Sequence, residues 1–282
     1  MPYDIIVGRD EADKERFEKR GLIYLGKGFV KMGNYTSLSN FIYSDVARSH
    51  VILVAGKRGS GKSYTLGVIA EELSNLPKEI RQNIASLIFD TMGIFWTMKF
   101  KNEKEKHLLE EWNLKSQSLP IKIFVPYGHY QKYIDKDISV DEKFALDLSE
   151  MNSEDWILTF GLNLIHPVSV LIERIITDLK ERVNFSFSDI IDELRVDKTS
   201  EQETKNAAIG LFEAAKTWGI FSDGLIGATK ITDLITAGTT SVLDLSAYNS
   251  VGAFNIRALV ISLVSRKLFN QRMESRRGEE VG

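Results

Sequence analysis

The stretch "VILVAGKRGSGKSYTL", Val51 to Leu66, constrains this chain more than any other. Val51 to Ala55 is apolar and rich in β-branched residues, and Gly56 through Ser63 spells G-x-x-x-x-G-K-S. Leu66, Ile69, Ala70 and Leu73 then follow at helical spacing. Strand, glycine loop and helix thus stand in the order that a P-loop requires. Gly56, Gly59 and Gly61 permit backbone conformations and close approaches that side chains obstruct. The N–H groups from Arg58 to Ser63 can converge on phosphate oxygens, and a helix beginning near Lys62 adds its positive end. The motif assigns Lys62 to the β- and γ-phosphates and the Ser63 hydroxyl to Mg²⁺ of a bound nucleotide. The expected cradle runs through Gly56, Lys57, Arg58, Gly59, Ser60, Gly61, Lys62, Ser63 and Tyr64. Lys57 and Arg58 can bias adenine or phosphate contacts, although the motif admits any residue there.

The 282 residues leave room for one large domain, or for a core with an insertion. Neither the 43% hydrophobic nor the 27% charged fraction departs from ordinary globular usage. No apolar run approaches bilayer length, and "MPYDIIVGRDEADKERFEKR" lacks a signal-peptide layout, so the expectation is a cytoplasmic protein without a membrane partner. With no cysteine, disulfides, thiolate zinc sites and cysteine nucleophiles are excluded. His50, His107, His129 and His166 are scattered, which argues against a histidine metal site. A net charge of −3 argues against coating nucleic acid by bulk charge, but leaves room for a local basic stripe.

Along the chain, residues 1–35 read as a charged arm followed by a small β-hairpin within Gly21–Gly33. Residues 36–139 read as the first part of an α/β core, with strands at Val51–Ala55, Ala85–Asp90 and Ile121–Gly128. Lys99–Lys106 is a charge run and reads as a solvated connection. Residues 140–236 turn helical and read as an insertion. Residues 237–282 resume the core with the β-type run "TTSVLDLSAY" and a long helix, Asn255–Arg277. Strands alternating with helices predict a mostly parallel sheet flanked by helices.

Hydrolysis also needs an acid, normally at the end of an apolar strand beside the P-loop strand. Asp90 ends "SLIFD"; it can serve the nucleotide or cap the loop at Thr91–Gly93. Asp192–Glu193 resembles a strand-end acid pair by letters alone. Ser186 and Ser188 are good N-caps there, and Ile190, Ile191 and Leu194 share a helix face, which favours a helix. Asp244, in "SVLDLS", is expected inside a strand with Leu on each side, not at its end, where its side chain can still face a polar layer.

Three further segments carry a family resemblance. "YTSLSNFIYSDVARSHVILVAGKRGSGKSYTLGVIAEEL", "LIFDTMGIFW" and "ITDLITAGTTSVLDLSAYNS" followed by "RALVISLVSRKLF" resemble, in that order, segments of the HerA branch of the HerA/FtsK ATPases. The likeness spans about residues 36 to 277. It implies a RecA-like P-loop NTPase core with a helical insertion, and a homo-oligomeric ring of six subunits hydrolysing ATP at subunit interfaces. It also implies double-stranded DNA in the channel and a NurA-type nuclease as partner. By position, Gly56 to Ser63 would hold phosphates and Mg²⁺, with Lys62 catalytic and Asp90 a second acidic contributor.

Two departures accompany the resemblance. The Walker B Asp-Glu pair and the arginine finger would fall after Gly282, and the family's N-terminal barrel is at most partial at Gly21–Gly33. The expectation is therefore a portion of a longer motor that binds nucleotide and hydrolyses it weakly alone. Arg257, Arg266, Lys267, Arg272, Arg276 and Arg277 can face DNA or a neighbouring subunit, or simply form a solvated helix surface. The leading function is an ATP-driven DNA translocase or helicase subunit acting in end resection. Alternatives are a secretion, conjugation or defence-system ATPase of the same fold, and a regulatory module that binds nucleotide without turnover.

Overall fold

The structure, a computed structural model, describes residues 3–182, 184–222, 227–250 and 254–281. Two compact units divide the chain: Met1–Ser86 with Thr97–Ile121 and Ile235–Thr240, and Leu87–Trp96 with Lys122–Leu234 and Ser241–Gly282.

The first unit opens with β1 (Ile5–Val7) and α1 (Glu11–Phe17), whose N-cap Asp10 accepts the Asp13 N–H. β2 (Leu22–Met32) and β3 (Tyr35–Asp45) form a long antiparallel ribbon, and β1 pairs with β3 in parallel. The hairpin expected within Gly21–Gly33 is thus one strand of a larger one. Gly26 lies at a register shift in the ladder, and the turn falls at Gly33 (φ 60°) and Asn34, between the paired Met32 and Tyr35. Alternation around a glycine reads alike for a bulge and a turn, which is why the sequence misplaced it.

A buried charge cluster fastens the end of β3. The Arg9 and Asp45 side chains have no exposed surface, and the Asp45 carboxylate also receives the Ala47 and Arg48 N–H groups and His50 Nε2. Arg48 makes a two-pronged bond to Asp13 on α1, at 2.9 and 2.8 Å. α2 (Lys62–Asn75), α3 (Lys78–Arg81) and α4 (Lys106–Glu111) complete this unit. α2 lies on the ribbon, with Glu72 accepting the Tyr24 N–H at 3.1 Å.

The run Val51–Ala55 corrects an expectation. It carries no strand, and Val51, Ile52 and Leu53 are exposed. β-branched composition makes a segment fit for a sheet, but a ladder also needs a partner edge, which composition does not supply.

In the second unit, apart from the first residues of three strands, β4 (Ser86–Asp90), β5 (Ile121–Pro126), β6 (Glu142–Phe144) and β7 (Thr240–Asp244) form a parallel sheet in the order β4-β7-β5-β6. Every residue of β7 is buried, as expected for a strand covered on both faces. The helices are α5 (Tyr130–Ile134), α6 (Ser153–Thr159), α7 (Pro167–Lys180), α8 (Phe187–Val196), α9 (Gln202–Lys216), α10 (Ile231–Leu234) and α11 (Phe254–Val281). Leu171, Ile172, Ile175, Ile176 and Leu179, the apolar stripe of α7, are all buried in one cluster with Phe124, Phe144 and Leu243 of the sheet. Trp156 of α6 anchors that cluster, its ring centroid 5.0–5.4 Å from those of Phe160, Phe212 and Phe221. The architecture is α/β, with a parallel sheet flanked by helices, consistent with a RecA-like core. No helix among the described residues is long and apolar enough to cross a membrane.

Candidate functional site

The glycine turn of the first unit takes its shape from backbone that L side chains disfavour. Gly59 and Gly61 have φ of 79° and 86°. A Cβ on Gly56 would run into the Ser60 side chain, so the loop closes on itself at that point. Ser60 N–H donates to the Lys57 carbonyl at 3.2 Å, tightening the turn. α2 begins at Lys62 with Gly61 as N-cap, and the Thr65 N–H is bonded to the Gly61 carbonyl. Helix geometry therefore gives no intrahelical acceptor to the N–H groups of Lys62, Ser63 and Tyr64. These donors, with the helix's positive end, suit an anion. Lys62 folds back over the loop, its Nζ donating to the Lys57 carbonyl at 2.8 Å. A neutral carbonyl is a weaker partner for an ammonium than a phosphate is, so this bond is readily exchanged. The turn has the form of a phosphate cradle, and its residues fit a nucleotide.

The acids stand in the second unit, where parallel strands bring their C-terminal ends to one edge. Asp90 is the last residue of β4 and Asp244 the last of β7. This corrects the expectation that Asp244 lies within its strand. The chain turns off at Leu245, whose N–H donates to the Asp90 carbonyl at 2.8 Å. Both carboxylates are buried.

Their environments differ. Asp90 accepts four backbone N–H bonds: from Met92 and Gly93 on Oδ1, and from Ile94 and Phe95 on Oδ2, at 2.7–2.9 Å. That number fills the lone-pair sites of a carboxylate. Asp90 therefore organises the loop that follows it, and any contact with a metal or water would require release of at least one bond. Asp244 Oδ1 accepts the Tyr133 hydroxyl at 3.0 Å and the Ser246 N–H at 2.8 Å. Burial pushes its carboxyl above the usual range and the nearby Asp90 adds to that, against the opposing bonds from Ser246 and Tyr133. Burial likewise raises the Tyr133 hydroxyl. At the same edge His129 meets Tyr248 edge-on at 5.1 Å, and burial followed by Lys132 lowers its pKa.

Asp192, Glu193, Arg266 and Lys267 are engaged elsewhere, whereas Arg257 lines a groove with Thr91, the residue after Asp90. Asp192 and Glu193 lie on α8, where Ser186 and Asp189 form a capping box; Asp192 pairs with Arg195 and Glu193 with Arg182. Arg266 makes a two-pronged bond to Asp155, and Lys267 pairs with Glu150 at 2.6 Å, so these two cations of α11 are engaged within the unit. Tyr133 and Ser246 escaped the sequence reading. Ser246 had a signal, lying two residues beyond Asp244, a spacing at which a side-chain carboxylate accepts a backbone N–H. Tyr133 had none, because its partner is remote in sequence.

A family model described as Helicase HerA, central domain, matches residues 31–267. The chain belongs to the HerA family of P-loop ATPases. A search of curated proteins found no match. The HerA match takes in the glycine turn, both strand-end acids and the first half of α11. A HerA-family domain is an ATPase and a nucleotide binder.

Proposed function

We propose that the chain is the ATP-hydrolysing motor subunit of a HerA-like DNA translocase, acting in the cytoplasm as a homo-oligomeric ring on double-stranded DNA. One observation carries the nucleotide part of this reading. The Gly56–Ser63 turn, with positive φ at Gly59 and Gly61 and Lys62 folded over it, is a pre-shaped anion site at the start of α2. Phosphoryl transfer needs little covalent help from protein; it needs positioning and charge stabilisation. In this reading the turn's N–H groups and the Gly61–Tyr64 helix start hold the phosphates. Lys62 exchanges the Lys57 carbonyl for the terminal phosphates, and Ser63 is the Mg²⁺ contact. Bound there, Mg²⁺ would supply neutralisation of the phosphate charge. Family membership supports the motor reading, and a nuclease partner of the NurA type would couple it to end resection.

The deciding experiment is ATP turnover with and without duplex DNA, beside Lys62→Ala. DNA-stimulated hydrolysis abolished by the substitution supports the translocase. Nucleotide binding with no turnover in either condition favours the second reading, a regulatory module. The saturated carboxylate of Asp90 is the observation on that side.

A further inference from the structure

The β2–β3 ribbon of the first unit is only two strands wide over most of its length, because β1 pairs with β3 at Ile42, Tyr43 and Ser44 alone. Lys27, Phe29 and Lys31 alternate along β2 and so share one face, where the ladder sets Phe41, Leu38 and Thr36 opposite them. Apolar side chains normally gain by leaving water, yet Phe29 is 71% exposed, Leu38 49% and Phe41 44%. Tyr24 and Tyr43 prolong the row of rings, with Tyr24 centred 5.8 Å from Phe41 and 5.6 Å from Tyr43. Lys27 Nζ lies between two rings, 5.4 Å from the centre of Phe41 and 5.1 Å from that of Trp112, which follows α4. From Leu22 to Tyr43 the chain contains these two lysines and no Asp or Glu, in a protein of net charge −3.

Rings and cations on one face, with no carboxylate among them, select among occupants. A second copy meeting this face symmetrically brings lysine against lysine with no acid to separate them. A DNA duplex keeps its base faces inside its own stack and offers the rings little. A single strand offers bare base faces to the rings and phosphates to the ammonium groups. We propose that this face of the ribbon binds single-stranded nucleic acid, with bases stacked on Phe29 and Phe41 and a phosphate held by Lys31. The surface uses no residue of the glycine turn and stands apart from the ATPase reading.

The test follows the anisotropy of a labelled oligothymidine titrated with the full chain, without nucleotide, at several salt concentrations. Stacking is sequence-tolerant and needs an aromatic face, so Phe29→Leu, which stays apolar, is expected to weaken binding about 5–100-fold, as Phe29→Ala does. Phe29→Trp keeps the face and is expected to hold parent affinity. Lys31→Ala lowers the slope of log K against log salt by about 0.7, the share of one phosphate contact on a single strand. Oligouridine binds within about fivefold of oligothymidine, because neither rings nor charges read the sugar. Parent affinity in Phe29→Leu overturns the proposal by showing that apolar bulk is enough. Preference for duplex, or self-association of the chain lost in Phe29→Leu, overturns it by naming a different occupant. No binding of either strand at low salt ends it outright. With no nucleotide in the assay, each of these results leaves the phosphate cradle standing, and failure of the cradle leaves the ribbon untouched.

Discussion

Gly93 lies so close to Ser246 that a single added carbon at Gly93 would stand 3.0 Å from the serine Cβ. The contact joins the ends of two neighbouring strands, one closing on Asp90 and the other on Asp244.

Gly93→Ala should therefore destabilise the fold for two reasons, left-handed backbone and steric contact. Together they amount to about 1–3 kcal/mol, read as a shift in the urea midpoint. Ser246→Ala in the same chain should recover the part of the contact made by the hydroxyl and leave the Cβ contact and the backbone part. Strict additivity of the two substitutions in a double-mutant cycle would show that the residues do not touch in solution.

Lys62→Ala should separate binding from folding. The side chain is partly exposed and its bond is to one loop carbonyl, so unfolding free energy should stay within about 0.5 kcal/mol of the parent. Nucleotide affinity should fall about 10–100-fold, the worth of charge-assisted bonds to phosphate, as measured by calorimetry or a fluorescent ATP analogue.

Asp45→Asn addresses the cluster that closes the ribbon. Removing one charge of a buried pair leaves Arg9 uncompensated, at a cost of about 3–5 kcal/mol at neutral pH. The pH dependence has a definite sign. Burial opposes ionisation of Asp45, but His50, Arg9 and the Ala47 N–H outweigh it and hold the carboxyl below its ordinary value of 3.8. A depressed carboxyl contributes stability above its unfolded pKa and loses it as pH falls through the folded one. The parent should thus lose this contribution as pH drops below about 4, and Asp45→Asn should show a shallower acid limb. Equal slopes in the two proteins would contradict the assignment.

Asp155→Ala should loosen the attachment of α6 to α11. Asp155 accepts the Asn152 N–H at the start of α6 and both arms of Arg266, whose pKa it raises. Arg266 is partly exposed, so the combined loss is expected to be about 1–3 kcal/mol. Arg266→Met should show only the bridge part of that loss, because the Asn152 bond stays, and thermal unfolding of both variants measures the difference.

Features written in local pattern were legible in the sequence. The glycine turn and the start of α2 followed from spacing alone, and the N-cap Ser186 with the Ile190, Ile191 and Leu194 face announced α8 despite the Asp192–Glu193 letters. Features decided by remote partners were not. Gly26 could not be told from a turn without the β3 register, and Val51–Ala55 could not reveal whether an edge awaited it. The dual environment of the acids was hidden for the same reason. Tyr133 stands far from Asp244 along the chain, and Asp90's four bonds depend on the path of the next five residues.

The bond from Tyr24 to Glu72 has a mechanical reading. The helix that starts with Lys62 and Ser63 carries Glu72 near its far end, gripping the main chain of the ribbon. A tug on that ribbon would therefore travel down a stiff rod to the two residues at its tip, so load applied to the outside of this unit and grip at the glycine turn share one lever.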